Sequence, residues 1–100
     1  MARYQYKGKI YYDYQKWPNG EVVGFVIFDP YISIREQFKK ILWKYGFKKR
    51  YHRGKGYYEA ELIGKREKVA SILKRMVEEM PWAELHPNVT YEIENYAKEE

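Results

Sequence analysis

Nine of the chain's 19 Lys and Arg residues lie between positions 35 and 55, in the stretch REQFKKILWKYGFKKRYHRGK, where the single acid is Glu36. The local net charge is +8, in a protein whose net charge is +5. Arg35, Lys39, Lys40, Lys44, Lys48, Lys49, Arg50, Arg53 and Lys55 are of the type that holds phosphates. Interleaved with them are Trp43, Phe47, Tyr51, Tyr57 and Tyr58, whose rings are of the type that stacks on unpaired bases. These cations, with Tyr51, are the candidate nucleic-acid-binding residues. The last 45 residues carry the opposite balance, ten Asp and Glu against six Lys and Arg. A polyanion would therefore prefer one part of this surface. The bland alternative is a solvated lysine-rich face with several of the rings in the core.

Few residues suit catalysis. His52 lies among Arg50, Arg53 and Lys55, whose positive field favours a neutral imidazole able to act as a general base. A lone histidine in a basic loop is more commonly a polar contact. His86 stands beside a proline in a turn-rich stretch, far from His52 in sequence. Asp29 ends an apolar segment and could ligate Mg²⁺ with help from a symmetry mate, although such an Asp more commonly caps a turn. No second acid or base stands at a recognisable spacing from it, so no catalytic residue, metal ligand or cofactor is assigned. The absence of cysteine removes disulfides and thiolate ligands.

These residues need elements to position them. From Tyr4 to Tyr14 the even positions read Tyr4, Tyr6, Gly8, Ile10, Tyr12 and Tyr14, a period of two that predicts a half-buried strand. Trp17-Pro18-Asn19-Gly20 is turn-forming and leads into EVVGFVIFD, an interior strand paired with the first as a hairpin and ended by Pro30. Ser33 and Glu36 form an S-x-x-E capping box. Behind it Ile34, Phe38, Ile41, Leu42 and Tyr45 make one stripe of a helix that Gly46 stops. KKRYHR, a Gly54-Lys55-Gly56 turn and YYEAELI read as a second hairpin. Val69, Ile72, Leu73, Met76, Val77 and Met80 then mark a second helix, ended by Pro81. In VTYEIENY, Val89, Tyr91 and Ile93 alternate and predict a last strand before the acidic tail.

The expectation is a single α+β domain over residues 1–100: an antiparallel sheet of about five strands, two helices on one face, in the order ββαββαβ. From Val22 onward that order is the βαββαβ of a ferredoxin-like fold, and the leading strand makes it a variant. That leading strand competes with the last one for the same sheet edge. Many Lys, Glu and Ile beside three Asn and three Gln resemble the composition of hyperthermophile proteins. No apolar run approaches the roughly 20 residues that span a bilayer, and MARYQYKGK lacks an apolar signal core, so the chain reads as intracellular, with no membrane role. Asn88-Val89-Thr90 fits a glycosylation acceptor, which without a secretion signal is chance.

FVIFD, a helix ending in KYG, a basic strand, a turn and YYEAEL together resemble, over residues 22–95, the ferredoxin-like CRISPR-associated adaptation proteins. That resemblance implies a dimer that holds DNA, and in some members an acid matching Asp29 serves metal-dependent cleavage. The stretch KYGFKKRYHRGKGYY also resembles the small HicA-type RNA-cleaving toxins, but their histidine follows the turn glycine whereas His52 precedes Gly54, so no catalytic residue carries over. In size, tyrosine content and heat-adapted composition the chain is similar to small proteins of hyperthermophilic archaea and their filamentous viruses, most of all in RYQYKGKIYYDYQKW.

Three functions follow. The first is a non-enzymatic accessory protein that binds DNA or RNA non-specifically through residues 35–55. The second is a protein-interaction module or homodimer joined through a strand edge, with no nucleic-acid role. The third is a Mg²⁺-dependent nuclease using Asp29. No small-molecule ligand is evident in the sequence.

Overall fold

The alternation that begins at Tyr4 becomes, in the computed structural model, a strand whose even positions turn inward: Gly8, Ile10 and Tyr12 are buried while Lys9 and Asp13 are exposed. The structure describes residues 8–30, 34–50 and 58–98, so Tyr4 and Tyr6 lie outside it, as does the capping serine, Ser33. In chain order the elements are β1 (Gly8–Lys16), β2 (Val22–Pro30), α1 (Arg35–Lys44), β3 (Lys48–Arg50), β4 (Tyr58–Gly64), α2 (Arg66–Glu78), β5 (Glu84–Leu85) and α3 (Pro87–Tyr96).

Between β1 and β2 the Trp17 carbonyl accepts from the Gly20 N–H at 3.1 Å, and the Trp17 N–H donates to the Glu21 carbonyl at 2.8 Å. Gly20 has φ +87°, the left-handed conformation that a three-residue hairpin loop requires and that glycine adopts without steric cost. Asn19 braces the loop by accepting from the Glu21 N–H at 3.0 Å. The sheet order is β3-β4-β2-β1-β5. β2 pairs antiparallel with β1 and β4, and β3 antiparallel with β4. β5 runs parallel to β1, so the sheet is mixed rather than antiparallel throughout. The contest for the edge of β2 is decided in favour of β1, and β5 is displaced one position outward.

The C-terminal expectation needs a second correction. Residues 87–96 are a third helix, not a strand, and the final strand is the short Glu84–Leu85 within what reads in sequence as a turn. The physical reason is a helical stripe with an acid in it. Val89, Glu92, Ile93 and Tyr96 recur at i, i+3, i+4 and i+7, and Val89 and Glu92 are both buried. Pro87 sits in the first turn, where its missing N–H costs nothing, and the His86 Nδ1 accepts from the Asn88 N–H at 3.2 Å. Glu92 tolerates burial because Arg66 of α2 meets it with two hydrogen bonds, Nε to Oε2 at 2.9 Å and Nη2 to Oε1 at 3.1 Å. The Arg66 guanidinium is held between the rings of Tyr14, at 4.0 Å, and Tyr96, at 3.6 Å.

All three helices lie on one side of the sheet, over Ile10, Tyr12, Val22, Val26, Phe28 and Ala60. Phe38 of α1 stacks on Phe28 with ring centroids 5.4 Å apart and meets Trp82 edge-on at 4.8 Å. Ile34 is the N-cap of α1, no side chain among the described residues caps it, and ten residues are too few for a stable isolated helix, so this packing holds it. Gly46, with φ +89°, ends it. α2 crosses β2 at Gly24, where an added Cβ would stand 2.7 Å from the Tyr12 hydroxyl and 2.8 Å from Val69 Cγ1. The buried Tyr12 hydroxyl finds no hydrogen-bond partner among the described residues. Burial, reinforced by the nearby Glu92 carboxylate, pushes this phenol well above its ordinary range, so it stays neutral.

Two outcomes test this packing by urea denaturation. Glu92→Ala, which strands the Arg66 charge, should cost about 3–5 kcal/mol, whereas an Arg66→Met/Glu92→Leu double variant should recover most of that loss. Gly24→Ala should cost about 1–3 kcal/mol through overpacking. Tyr12→Phe alone should be neutral or stabilising, because it deletes an unpaired buried hydroxyl, and it should relieve part of the Gly24→Ala loss.

Candidate nucleic-acid interface

Helix geometry sorts the cations of α1. At about 100° per residue, with Phe38 and Leu42 marking the core side, Arg35 and Lys39 flank the core and Trp43, Lys40 and Lys44 follow outward in that order. Trp43 is 38% exposed, enough to offer a ring face beside Lys40 and Lys44. Ile41 and Tyr45, on the other flank, pack against the core. The cations are not equally available. Lys39 Nζ lies 3.3 Å from the Glu36 carboxylate and its side chain is only 22% exposed. Lys44 Nζ lies 3.1 Å from Glu79, at the end of α2.

Glu79 is the pivot of a small polar cluster, because it also accepts from the Tyr45 hydroxyl. The Tyr45 and Lys44 hydrogen bonds hold its carboxyl below the ordinary glutamate range. The same bonds raise Lys44 and Tyr45 above their ordinary values.

Strand alternation divides the cations of β3. Lys49 stands opposite Ala60, which is buried under the helices, so Lys49 lies on α1's side of the sheet. Lys48 stands opposite Glu61 and belongs to the other face. Arg50 pairs in register with Glu59. The structure therefore places Lys49 on the same side of the sheet as α1 and Lys48 on the opposite side. Tyr51, Arg53 and Lys55, with His52, lie outside the described residues. Of the rings singled out with them, Phe47 is buried and serves the core, and Trp43 is exposed.

The face of the sheet away from the helices bears Val23, Phe25 and Ile27 in β2, with Ile63 beside them 49% exposed. Around this stripe stand Asp13, Asp29, Glu59, Glu61 and Glu84, five acids against the three cationic register positions Lys9, Lys48 and Arg50. Such an acidic surround opposes a phosphate backbone, so this face is a poor platform for stacking bases. Asp29 is exposed at the end of β2, with Lys9 as its neighbour in register on β1. Among the described residues no group of three or more His, Asp or Glu side chains is placed to hold a metal ion.

Two clusters escaped the sequence reading. One is the Arg66–Glu92 pair with its tyrosines, whose partners are 26 residues apart. The other is a set of cations along the outer side of α2, hidden in the acidic half of the chain. Helical spacing was the available signal for both. No helix among the described residues is long and apolar enough to cross a membrane. No protein-family model, curated protein or solved structure matches this chain.

The Glu79 cluster has a definite pH signature. A lowered carboxyl contributes stability that is present above the ordinary value of 4.5 and lost as pH falls through the lowered one. A raised Lys44 contributes stability that is present below 10.5 and lost as pH rises through its elevated value. Thermal melts across pH should therefore show both limbs, and Glu79→Gln should flatten both while leaving the neutral-pH fold intact.

Proposed function

We propose that this protein binds nucleic acid through phosphate contacts, without sequence preference, using the outward surface of α1 and the adjoining edge strand β3. The observation that carries this reading is the grouping of Lys40, Trp43 and Lys44 on one exposed helix surface, with Lys49 following on the same side of the sheet. Lysines hold backbone phosphates as flexible point charges, and the exposed Trp43 indole can stack on a base in a single strand. Arg35 and Lys39 would extend this surface toward the core side, and Tyr51, Arg53 and Lys55 belong to the same proposed site by sequence. Its action is binding rather than catalysis. The fold reading that accompanies it is a ferredoxin-like arrangement of β2, α1, β3, β4, α2 and β5, with β1 inserted between β2 and β5.

A second reading has its own observation. On the sheet face away from the helices Ile63 is 49% exposed beside the partly exposed Phe25 and Ile27, an apolar stripe that could meet another protein surface, as a homodimer or interaction module would require. A nuclease built on Asp29 is the weakest reading, since Asp29 has a lysine as its neighbour in register and among the described residues no group of three or more acids and histidines is placed to hold a divalent cation.

Fluorescence anisotropy with labelled single- and double-stranded DNA and RNA across a salt series tests the proposal. Affinity should fall with salt, with a log–log slope near −0.9 per phosphate contact on duplex and −0.7 on single strands. Lys40→Glu/Lys44→Glu/Lys49→Glu should weaken binding at least tenfold and flatten the slope by about two contacts. Lys48→Glu should do much less than Lys49→Glu, because it lies behind the sheet. Trp43→Ala should weaken single-strand binding selectively, by about 1–3 kcal/mol if one base stacks there. Salt-insensitive binding, or none at low salt, would reject the proposal.

A further inference from the structure

The last 45 residues are net acidic, yet four of their six cations converge. Lys65, Lys68, Arg75 and Lys98 line a groove of about 430 Å³ on the outward side of α2, with Glu67 its one acid among the described residues. Helix periodicity makes this possible. Lys68, Ser71, Ile72 and Arg75 recur at i, i+3, i+4 and i+7, opposite the buried stripe of Val69, Leu73 and Met76. The far wall is the chain after α3, and it is pinned. The Ser71 hydroxyl accepts from the Lys98 N–H at 2.9 Å and also lies 3.2 Å from the Lys98 carbonyl.

A second observation points to an anion. Lys65 is the N-cap of α2 and Lys68 stands in its first turn beside the single acid there, Glu67, so cations outnumber acids where the positive end of the helix dipole disfavours them. No side chain caps that terminus, so its N–H groups receive no side-chain acceptor there. Arg66, in the same turn, is taken up by Glu92, while among the described residues no carboxylate pairs with Lys65 or Lys68. A local rule broken at a concave site is a mark of function, and an anion placed there would satisfy both the lysines and the helix terminus.

We infer that this groove binds a phosphate ester of about nucleotide size. Lys65, Lys68 and the α2 terminus would hold the phosphate, Arg75 and Lys98 would close around it, and Ile72 gives an apolar wall for a ring. Ser71 is a positioning residue, since its hydroxyl is spent on Lys98 and on the Glu67 carbonyl, 2.8 Å away. The ester could be a free nucleotide or the phosphate of a strand, and the chemistry is shared. The groove's lining shares no residue with the α1 surface, so the inference can fail without the proposed nucleic-acid reading failing.

The test is amide-resolved NMR titration of the whole chain with adenosine 5′-monophosphate, with inorganic phosphate and with a short single-stranded oligonucleotide. Binding of the nucleotide at about 1 mM or tighter, with shifts at Lys68, Ser71, Ile72 and Lys98, supports the inference. Lys68→Glu/Arg75→Glu should weaken nucleotide binding at least tenfold, while Lys40→Glu/Lys44→Glu should leave it unchanged. Ser71→Val should weaken it less and shift the Lys98 amide even without ligand. A strand as the source is indicated if the oligonucleotide shifts these amides at lower concentration than the nucleotide does. Nucleotide binding that survives Lys68→Glu/Arg75→Glu, or no shift at these amides with any of the three probes, overturns the inference, whatever happens at α1.

Discussion

The insertion of β1 beside β2 is the constraint on which the rest of this molecule depends. Four strands at about 4.8 Å spacing make a sheet that two helices of about 10 Å diameter can cover. A fifth strand widens the sheet by about another 4.8 Å and brings its own inward row, Ile10, Tyr12 and Tyr14, which also needs cover. α3 supplies it. Because two of the three inward residues are tyrosines, the layer above them is built partly from polar groups, and Arg66 with Glu92 fills it. A buried ion pair of this kind is weak evidence for stability in itself, since both charges lose their water. What it does here is fix α2 and α3 against one strand, because neither charge can be left alone.

Much of this architecture is legible in the sequence. The hairpin of β1 and β2 follows from alternation and from Pro18-Asn19-Gly20, and α1 and α2 follow from their apolar stripes. These signals are local, and each is confined to one element. The final helix is not legible in that way. Val89, Tyr91 and Ile93 alternate convincingly, and the competing stripe contains Glu92, a residue that counts against burial until Arg66 is known to lie beside it. Tertiary pairing thus overrides a period that favours a strand. Pro87 at the helix start was the local cue, outweighed by reading His86-Pro87-Asn88 as a turn.

The charge pattern shows the same difference between sequence and surface. The run from Lys48 to Arg50 reads as one block, but a strand sends successive side chains to opposite faces, so only Lys49 shares α1's side of the sheet. The α2 groove is the reverse case. Its cations are diluted in sequence by Glu67, Glu78 and Glu79, and α2 gathers Lys65, Lys68 and Arg75 onto one stripe, which Lys98 joins from the chain after α3. Counting charge along a chain therefore overstates a patch in a strand and understates one on a helix. The candidate cations of α1 are the ones that sequence located best, because four-residue spacing there already implied a shared surface.

On the proposed reading, the chemistry of these side chains also accounts for a lack of sequence preference. Base identity is read by planar, bidentate groups such as Arg, Asn and Gln held rigidly against base edges, whereas phosphate contacts set position only. The outward surface of α1 offers lysines on flexible stems and one indole, and Gln37 lies beyond Lys44 on the far side from Trp43. The acids of the uncovered sheet face add direction. At physiological ionic strength charges act over about 8 Å, so a strand approaching the sheet face meets carboxylates, and one approaching the helices meets lysines. On that reading the two faces of one sheet would do different work: the acidic face would repel nucleic acid, while the helical face would carry the phosphate contacts.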